Sequence, residues 1–151
     1  MSEPVRSPIG VVLARTAKTV SRVFDDTLAE AGGSLPIWLI LISLKGGQAA
    51  NQRELAEAVG IQGATLTYHL NAMEADGLIT RQRDPANRRI HQVRLTDNGE
   101  ILFQRLAAAA ITHDQRLRTN LSEDEIATLQ GLLDRLRHNV TSPSTADMSQ
   151  V

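Results

Sequence analysis

NQRELAEAVGIQGATLTYHLNAMEADGLITRQRDPANRRIHQVRLT, residues 51–96, is the stretch from which the rest of the chain is read. Asn51 stands before Gln52, Arg53 and Glu54: a capping side chain followed three residues on by a carboxylate able to reach back, which predicts a helix start. Leu55, Ala56 and Val59 form the apolar stripe of that short helix, and Gly60 supplies the permissive backbone for its C-terminal turn. A second helix is predicted from 62 or 63 to about 76, closed by Gly77, with Leu66, Leu70 and Met73 as its core face. Residues 79–83 and 90–95 read as strands, the second alternating His91, Val93 and Leu95 against Ile90, Gln92 and Arg94. Asp84-Pro85-Ala86-Asn87 between them is turn chemistry. Helix, tight turn, helix and hairpin in that order predict a winged helix-turn-helix.

At roughly 100° per residue, Ala64, Tyr68 and Asn71 fall nearly opposite Leu66 on the second helix, with Thr67 beside them. This face carries small and hydrogen-bonding side chains and no acid before Glu74. Base edges are read by such groups, whereas carboxylates are repelled by phosphates. A solvated helix face has the same composition, so the helix alone leaves both readings open. The hairpin weighs on the side of a nucleic acid. Residues 81–94 hold five arginines (Arg81, Arg83, Arg88, Arg89 and Arg94) against the single acid Asp84, a local net charge of +4. A basic hairpin beside a helix-turn-helix is placed to lie along a duplex backbone, with an arginine in the narrow, electronegative minor groove; the plainer reading is a solubilising hairpin. The candidate DNA-binding residues are Gln62, Gly63, Ala64, Thr65, Thr67, Tyr68 and Asn71 on the helix, and Arg81, Arg83, Arg88 and Arg89 on the wing.

Asn87-Arg88-Arg89, five further residues and Leu95-Thr96 resemble the wing signature D-x-R-x(5)-L-T of the MarR-type transcriptional regulators. Gly77-Leu78-Ile79-Thr80-Arg81 is similar to that family's G-L-[IV]-x-R, and Asp97-Asn98-Gly99 to the polar turn that opens its next helix. The resemblance spans about 9–140, since helix number and order also agree. It implies a homodimer whose intertwined chain ends form the interface, double-stranded DNA with a pseudo-palindromic operator as partner, and repression released by a small, often aromatic effector. In this chain the effector cleft is then expected to involve Phe24, Trp38 and Leu41; a core tryptophan is the alternative reading of Trp38. By resemblance Arg88 is the wing-tip arginine and Arg89 the braced one. Asn87 stands where the signature has an acid: an amide accepts a hydrogen bond but offers no ion pair.

The rest of the chain is consistent with such a module carried between helical arms. Residues 1–8 and 141–151 are polar, with Pro or Ser/Thr enrichment, and are expected to be disordered tails. From Ile9, apolar residues recur at three and four (Leu13, Ala17, Val20, Phe24, Leu28), predicting a long amphipathic helix ending at Gly32-Gly33. Ser34 is positioned to cap the next helix, 35–44, which is apolar on nearly every side and is expected to be buried all round. After the wing, Thr96 caps a helix predicted over 97–118, about 33 Å long, with Ile101, Leu102, Leu106, Ala110 and Ile111 on its stripe. Ser122 and Glu125 form a capping box for a last helix bearing Ile126, Leu129, Leu132, Leu133, Leu136 and Val140. The division expected is a DNA-binding region over 35–96 and a helical dimerisation region from 9–34 and 97–140, mostly α with a small β-hairpin (α+β). Three apolar stripes exceed what one small lobe covers, and a two-fold dimer would bury them against their copies; an intramolecular bundle is the alternative.

Composition narrows the chemistry. The net charge of −1 makes the protein no polycation, so nucleic-acid affinity has to come from local charge. Cysteine is absent, which excludes disulfides, thiolate metal sites and a thiol redox switch. No apolar run approaches the roughly 18–20 residues that span a bilayer, and 1–8 lacks the apolar core of a signal peptide, so a cytoplasmic location is expected. His69, His91, His113 and His138 show no metal-ligand spacing. Neither a nucleophile elbow nor a phosphate-binding glycine loop is present. No enzyme activity, metal or cofactor is expected. The reading that competes with a DNA-binding regulator is a winged-helix protein–protein interaction module, for which the wing arginines would be dispensable.

Overall fold

The computed structural model describes residues 7–47, 51–89 and 91–142. Its elements run α1 (Ile9–Glu30), α2 (Leu35–Lys45), α3 (Gln52–Val59), α4 (Gly63–Ala75), β1 (Ile79–Arg83), β2 (His91–Leu95), α5 (Asp97–Leu117) and α6 (Glu123–Thr141). The expected tails and Ile90, predicted as the first residue of the second strand, lie outside the described residues; only the edges of the tails, Ser7, Pro8, Thr141 and Ser142, fall within them. Two compact units result, Met1–His113 and Asp114–Val151. The division between the units falls inside α5. The physical reason is that Leu102, Leu106 and His113 of α5 are buried, whereas α6 contains no buried residue.

In the first unit the core is Leu28, Ile40, Leu41, Leu55, Leu66, Leu70, Met73, Ile79, Val93, Leu102 and Leu106, with Ala56 beside them. The apolar faces read from periodicity thus converge: α2 packs on α1, α3 and β2, while α4 packs on α3 and β1. Local chemistry fixes the junctions. Asn51 Oδ1 accepts from Glu54 N at 3.0 Å to cap α3, and Ser34 Oγ accepts from Ile37 N at 3.4 Å to cap α2. Gly60 takes the left-handed conformation, φ 76°, and its N–H donates to Ala56 O, ending α3 in a tight turn two residues before α4.

The hairpin is antiparallel, pairing Ile79 with Leu95, Arg81 with Val93 and Arg83 with His91. Directly paired residues share a face. One face of the wing therefore carries Ile79, Val93 and Leu95 into the core, with Arg81, Arg83 and His91 along the same side. Thr96 joins wing to α5: its hydroxyl donates to Gly77 O and accepts from Gly99 N. Gly99 packs so tightly that an added Cβ would collide with Leu78 O, so this position excludes any side chain.

The expectation that α2 is buried all round is corrected. Ile40 and Leu41 are fully buried, but Ile42 is 40% exposed and the remaining apolar side chains are half-buried. The neighbours that one chain supplies, α1, α3 and β2 among them, leave the Ile42 face of this helix open. The amino-terminal half of α1 is likewise open, with Ile9 65% exposed and Val11, Val12 and Leu13 also exposed.

The second unit holds α6, whose cap is the predicted reciprocal box: Ser122 Oγ accepts from Glu125 N at 3.1 Å, and Glu125 Oε2 from Ser122 N at 2.8 Å. Leu129, Leu132, Leu133 and Val140 are all exposed. Among the described residues, no single helix is long and apolar enough to cross a membrane.

Candidate nucleic-acid interface

Helix α4 turns Leu66, Leu70 and Met73 into the core, leaving Gln62, Gly63, Ala64, Thr65, Thr67, Tyr68 and Asn71 on the outside. Tyr68 is 72% exposed, high for an aromatic ring, and its edge-on partner is His69 at 5.4 Å between centroids. Thr67 Oγ1 donates to Gly63 O at 2.9 Å, so its methyl group and lone pairs face outward. This is a helix face able to meet base edges and thymine methyls without a repelling charge.

Arg83, Arg88 and Arg89 on the wing are exposed. Arg81 is placed differently. Its Nη2 donates to Asn71 Oδ1 at 2.6 Å and to Glu74 Oε1 at 3.1 Å, while Nε donates to Glu74 Oε2 at 3.2 Å. The Arg81 side chain is only 16% exposed. The hydrogen bond from Arg81 holds the Glu74 carboxyl below the usual carboxylate range, against a smaller opposing effect of desolvation. Arg81 and Asn71, both expected as DNA contacts, thus engage each other and tie the wing to α4. Composition counted the arginine. Strand register, which puts Arg81 on the core side with Val93, decides what it touches.

At the wing tip Asp84 Oδ1 accepts from Ala86 N at 2.8 Å, and Asn87 Oδ1 accepts from Arg89 N at 3.2 Å. Asn87, in the place of the signature acid, therefore braces the backbone of Arg89. Thr67, Arg81, Arg89 and His91 line one open groove of about 270 Å³ together with Gln52, the first residue of α3. Recognition helix and wing therefore border a shared surface.

The three residues expected near an effector lie at the α1–α2–α5 junction. Phe24 stacks on His113 (4.8 Å between centroids, 24° between planes) and Trp38 on Phe103 (5.7 Å, 20°). Leu41 is fully buried in the core beside them. Lys45 reaches across to α5, its Nζ 2.9 Å from Glu100 Oε1 and 5.4 Å from the Phe103 ring centre. Sequence reasoning did not place His113 here. It is 8% exposed, and its Nδ1 is buried with no hydrogen-bond partner. Its position on the α5 stripe, seven residues after Leu106, was the available signal. Among the described residues no three His, Asp or Glu side chains converge in a metal-binding group.

The MarR family model matches residues 34–91, from the cap of α2 to the first residue of β2. Among solved structures the chain is similar to the transcriptional repressor CouR bound to a 23-mer DNA duplex: 29% identity, 86% of this chain and 92% of that one covered, TM-score 0.77. The PcaV transcriptional regulator from Streptomyces coelicolor is similar at 25% identity, covering 89% and 98% of the two chains, with a TM-score of 0.78. A mutant MarR from E. coli complexed with operator DNA shares the fold at 23% identity, 85% and 93% coverage and a TM-score of 0.74.

Proposed function

We propose that this chain is a MarR-type regulator, a homodimeric transcriptional repressor that binds a pseudo-palindromic duplex sequence. The observation that carries this is the shared border of α4 and the wing. An acid-free face with Tyr68 exposed sits beside Arg89, and Arg81 ties the two elements together. The duplex held in the CouR structure supports the same reading. In it, Gln62, Gly63, Ala64, Thr65, Thr67 and Tyr68 meet the major groove. Arg83, Arg88 and Arg89 follow the backbone and reach the minor groove. Arg81 and Asn71 act at one remove, by fixing the angle between helix and wing.

Two such units on a two-fold axis read two half-sites about one DNA turn apart. The exposed apolar residues of α1 and α6 are what the second copy covers. An aromatic effector inserted beside the Phe24–His113 or Trp38–Phe103 stack would shift α5 against α1 and α2. It would thereby change the spacing of the recognition helices, and a ligand favouring the altered spacing releases the duplex. The protein acts in the cytoplasm and catalyses no reaction.

The test is selection of bound duplexes from a random pool, followed by a salt titration on the recovered sequence. The expected results are a palindrome and a steep fall of log affinity with log salt. Arg88→Ala and Arg89→Ala each weaken binding about tenfold and lower the magnitude of the slope by roughly one. Recovery of no sequence, or arginine variants that bind as the wild type does, would leave the protein-interaction reading in its place.

A further inference from the structure

The groove between α3, α4 and the wing contains a side chain for which the reading above has no use. His91 is half-buried, the first residue of β2, and opens into the same groove as Arg89, Gln52 and Thr67, with Arg81 behind them. Its register partner is Arg83. The charges around it are mostly positive: Arg83 on β1, Arg89 on the wing, and Arg81, whose charge is matched by Glu74 of α4. Glu74 is near enough to feel His91 electrostatically, but its oxygens already accept from Arg81. Three donor-bearing side chains from three segments thus converge: the Gln52 amide, the Arg89 guanidinium and the His91 imidazole. Thr67 contributes no proton, because its hydroxyl donates to Gly63 O.

A recess with convergent N–H donors, excess positive charge and no free carboxylate is chemically matched to one tetrahedral oxyanion. The start of α3 at Gln52 adds the positive end of a helix dipole. We infer that this groove holds a single internucleotide phosphate of the duplex in each half-site, with His91 a direct donor to it. This rests on the DNA-binding reading and adds to it a β2 side chain that belongs neither to the wing arginines nor to the recognition helix. Its place beside Thr67 makes that phosphate the fixed point from which α4 is aimed into the major groove.

The experiment uses the full-length dimer and the duplex recovered by selection, prepared with one phosphate at a time replaced by an uncharged methylphosphonate. For the wild type, one linkage in each half-site is expected to show about a tenfold loss of affinity through this groove. His91→Ala should lose a similar factor on the unmodified duplex and become indifferent to neutralisation at that linkage. His91→Gln, which keeps an N–H donor, should recover part of the loss. The thermal midpoints of both variants are compared with wild type, so that unfolding is not read as lost contact. If His91→Ala binds as tightly as wild type, or binds more weakly yet keeps the full penalty at every neutralised linkage, the assignment is wrong. Failure to recover any duplex sinks the regulator reading itself, and this inference with it.

Discussion

Helices α4 and α6 carry apolar stripes that look alike on paper, and the molecule treats them in opposite ways. Leu66, Leu70 and Met73 of α4 are no more than 1% exposed; Leu129 and Leu132 of α6 are each 47% exposed. Helix α6 begins at a capping box legible in the sequence, whereas α4 begins after Gln62 with no side-chain cap. The difference lies in what each stripe was given to pack on. For α4 the partners are α3 and β1 of the same chain; among the described residues of α6 none is buried. An amphipathic pattern announces that a face will be covered and is silent about whose atoms do it.

The largest effect separating the two helices should come from charging the open stripe. Leu129→Asp with Leu132→Asp is expected to yield a monomer by sedimentation, with helical circular dichroism retained. Duplex affinity should fall on the order of 10²–10³-fold as two linked contacts become one. A dimer that persists in this variant would mean that α6 is not part of the interface. Leu70→Ala in the covered stripe should act through stability instead. About 3 kcal/mol lost in urea unfolding is expected for an emptied core position, at every protein concentration. Ser122→Ala removes one half of the α6 capping box and should cost about 1 kcal/mol, seen as faster amide exchange in the first turn of α6 while the first unit is unchanged.

The smallest effect belongs to two exposed carboxylates. Glu74 is held low mainly by the hydrogen bond from Arg81, and Glu100 mainly by that from Lys45. A depressed native pKa contributes stability above the ordinary carboxylate value, about 4.3, and that contribution is lost as pH falls through the native value. Thermal unfolding from pH 6 down to about pH 3 should therefore be flatter for Glu74→Gln and Glu100→Gln than for wild type. Parallel curves would mean that these pairs are fully screened.

Much of the fold was legible because its signals are local. Asn51, Gly60, Gly77, Thr96, Ser122 and Glu125 each fix a boundary through contacts within a few residues, and all occupy the expected roles. What escaped the sequence depends on register and on neighbours distant along the chain. Arg81 looked like one more wing cation until its pairing with Val93 turned it toward Glu74 and Asn71. His113 could be placed on a stripe, but nothing in its vicinity announced a stack on Phe24, some ninety residues earlier. Helix α2 is hydrophobic enough to predict complete burial, yet within one chain Ile42 stays 40% exposed.

One consequence follows from the way Asn87 grips Arg89. The amide holds the peptide nitrogen at 3.2 Å and leaves the guanidinium alone. Among the described residues no hydrogen bond or ion pair holds its five N–H groups, at the end of a side chain that keeps its torsional freedom until a duplex arrives. Freezing that freedom on contact subtracts roughly 0.5–1.5 kcal/mol from binding. In return, a limber fingertip on a fixed knuckle can follow grooves of differing width, which makes the wing a tolerant reader of DNA shape and leaves strict selection to the rigid helix beside it.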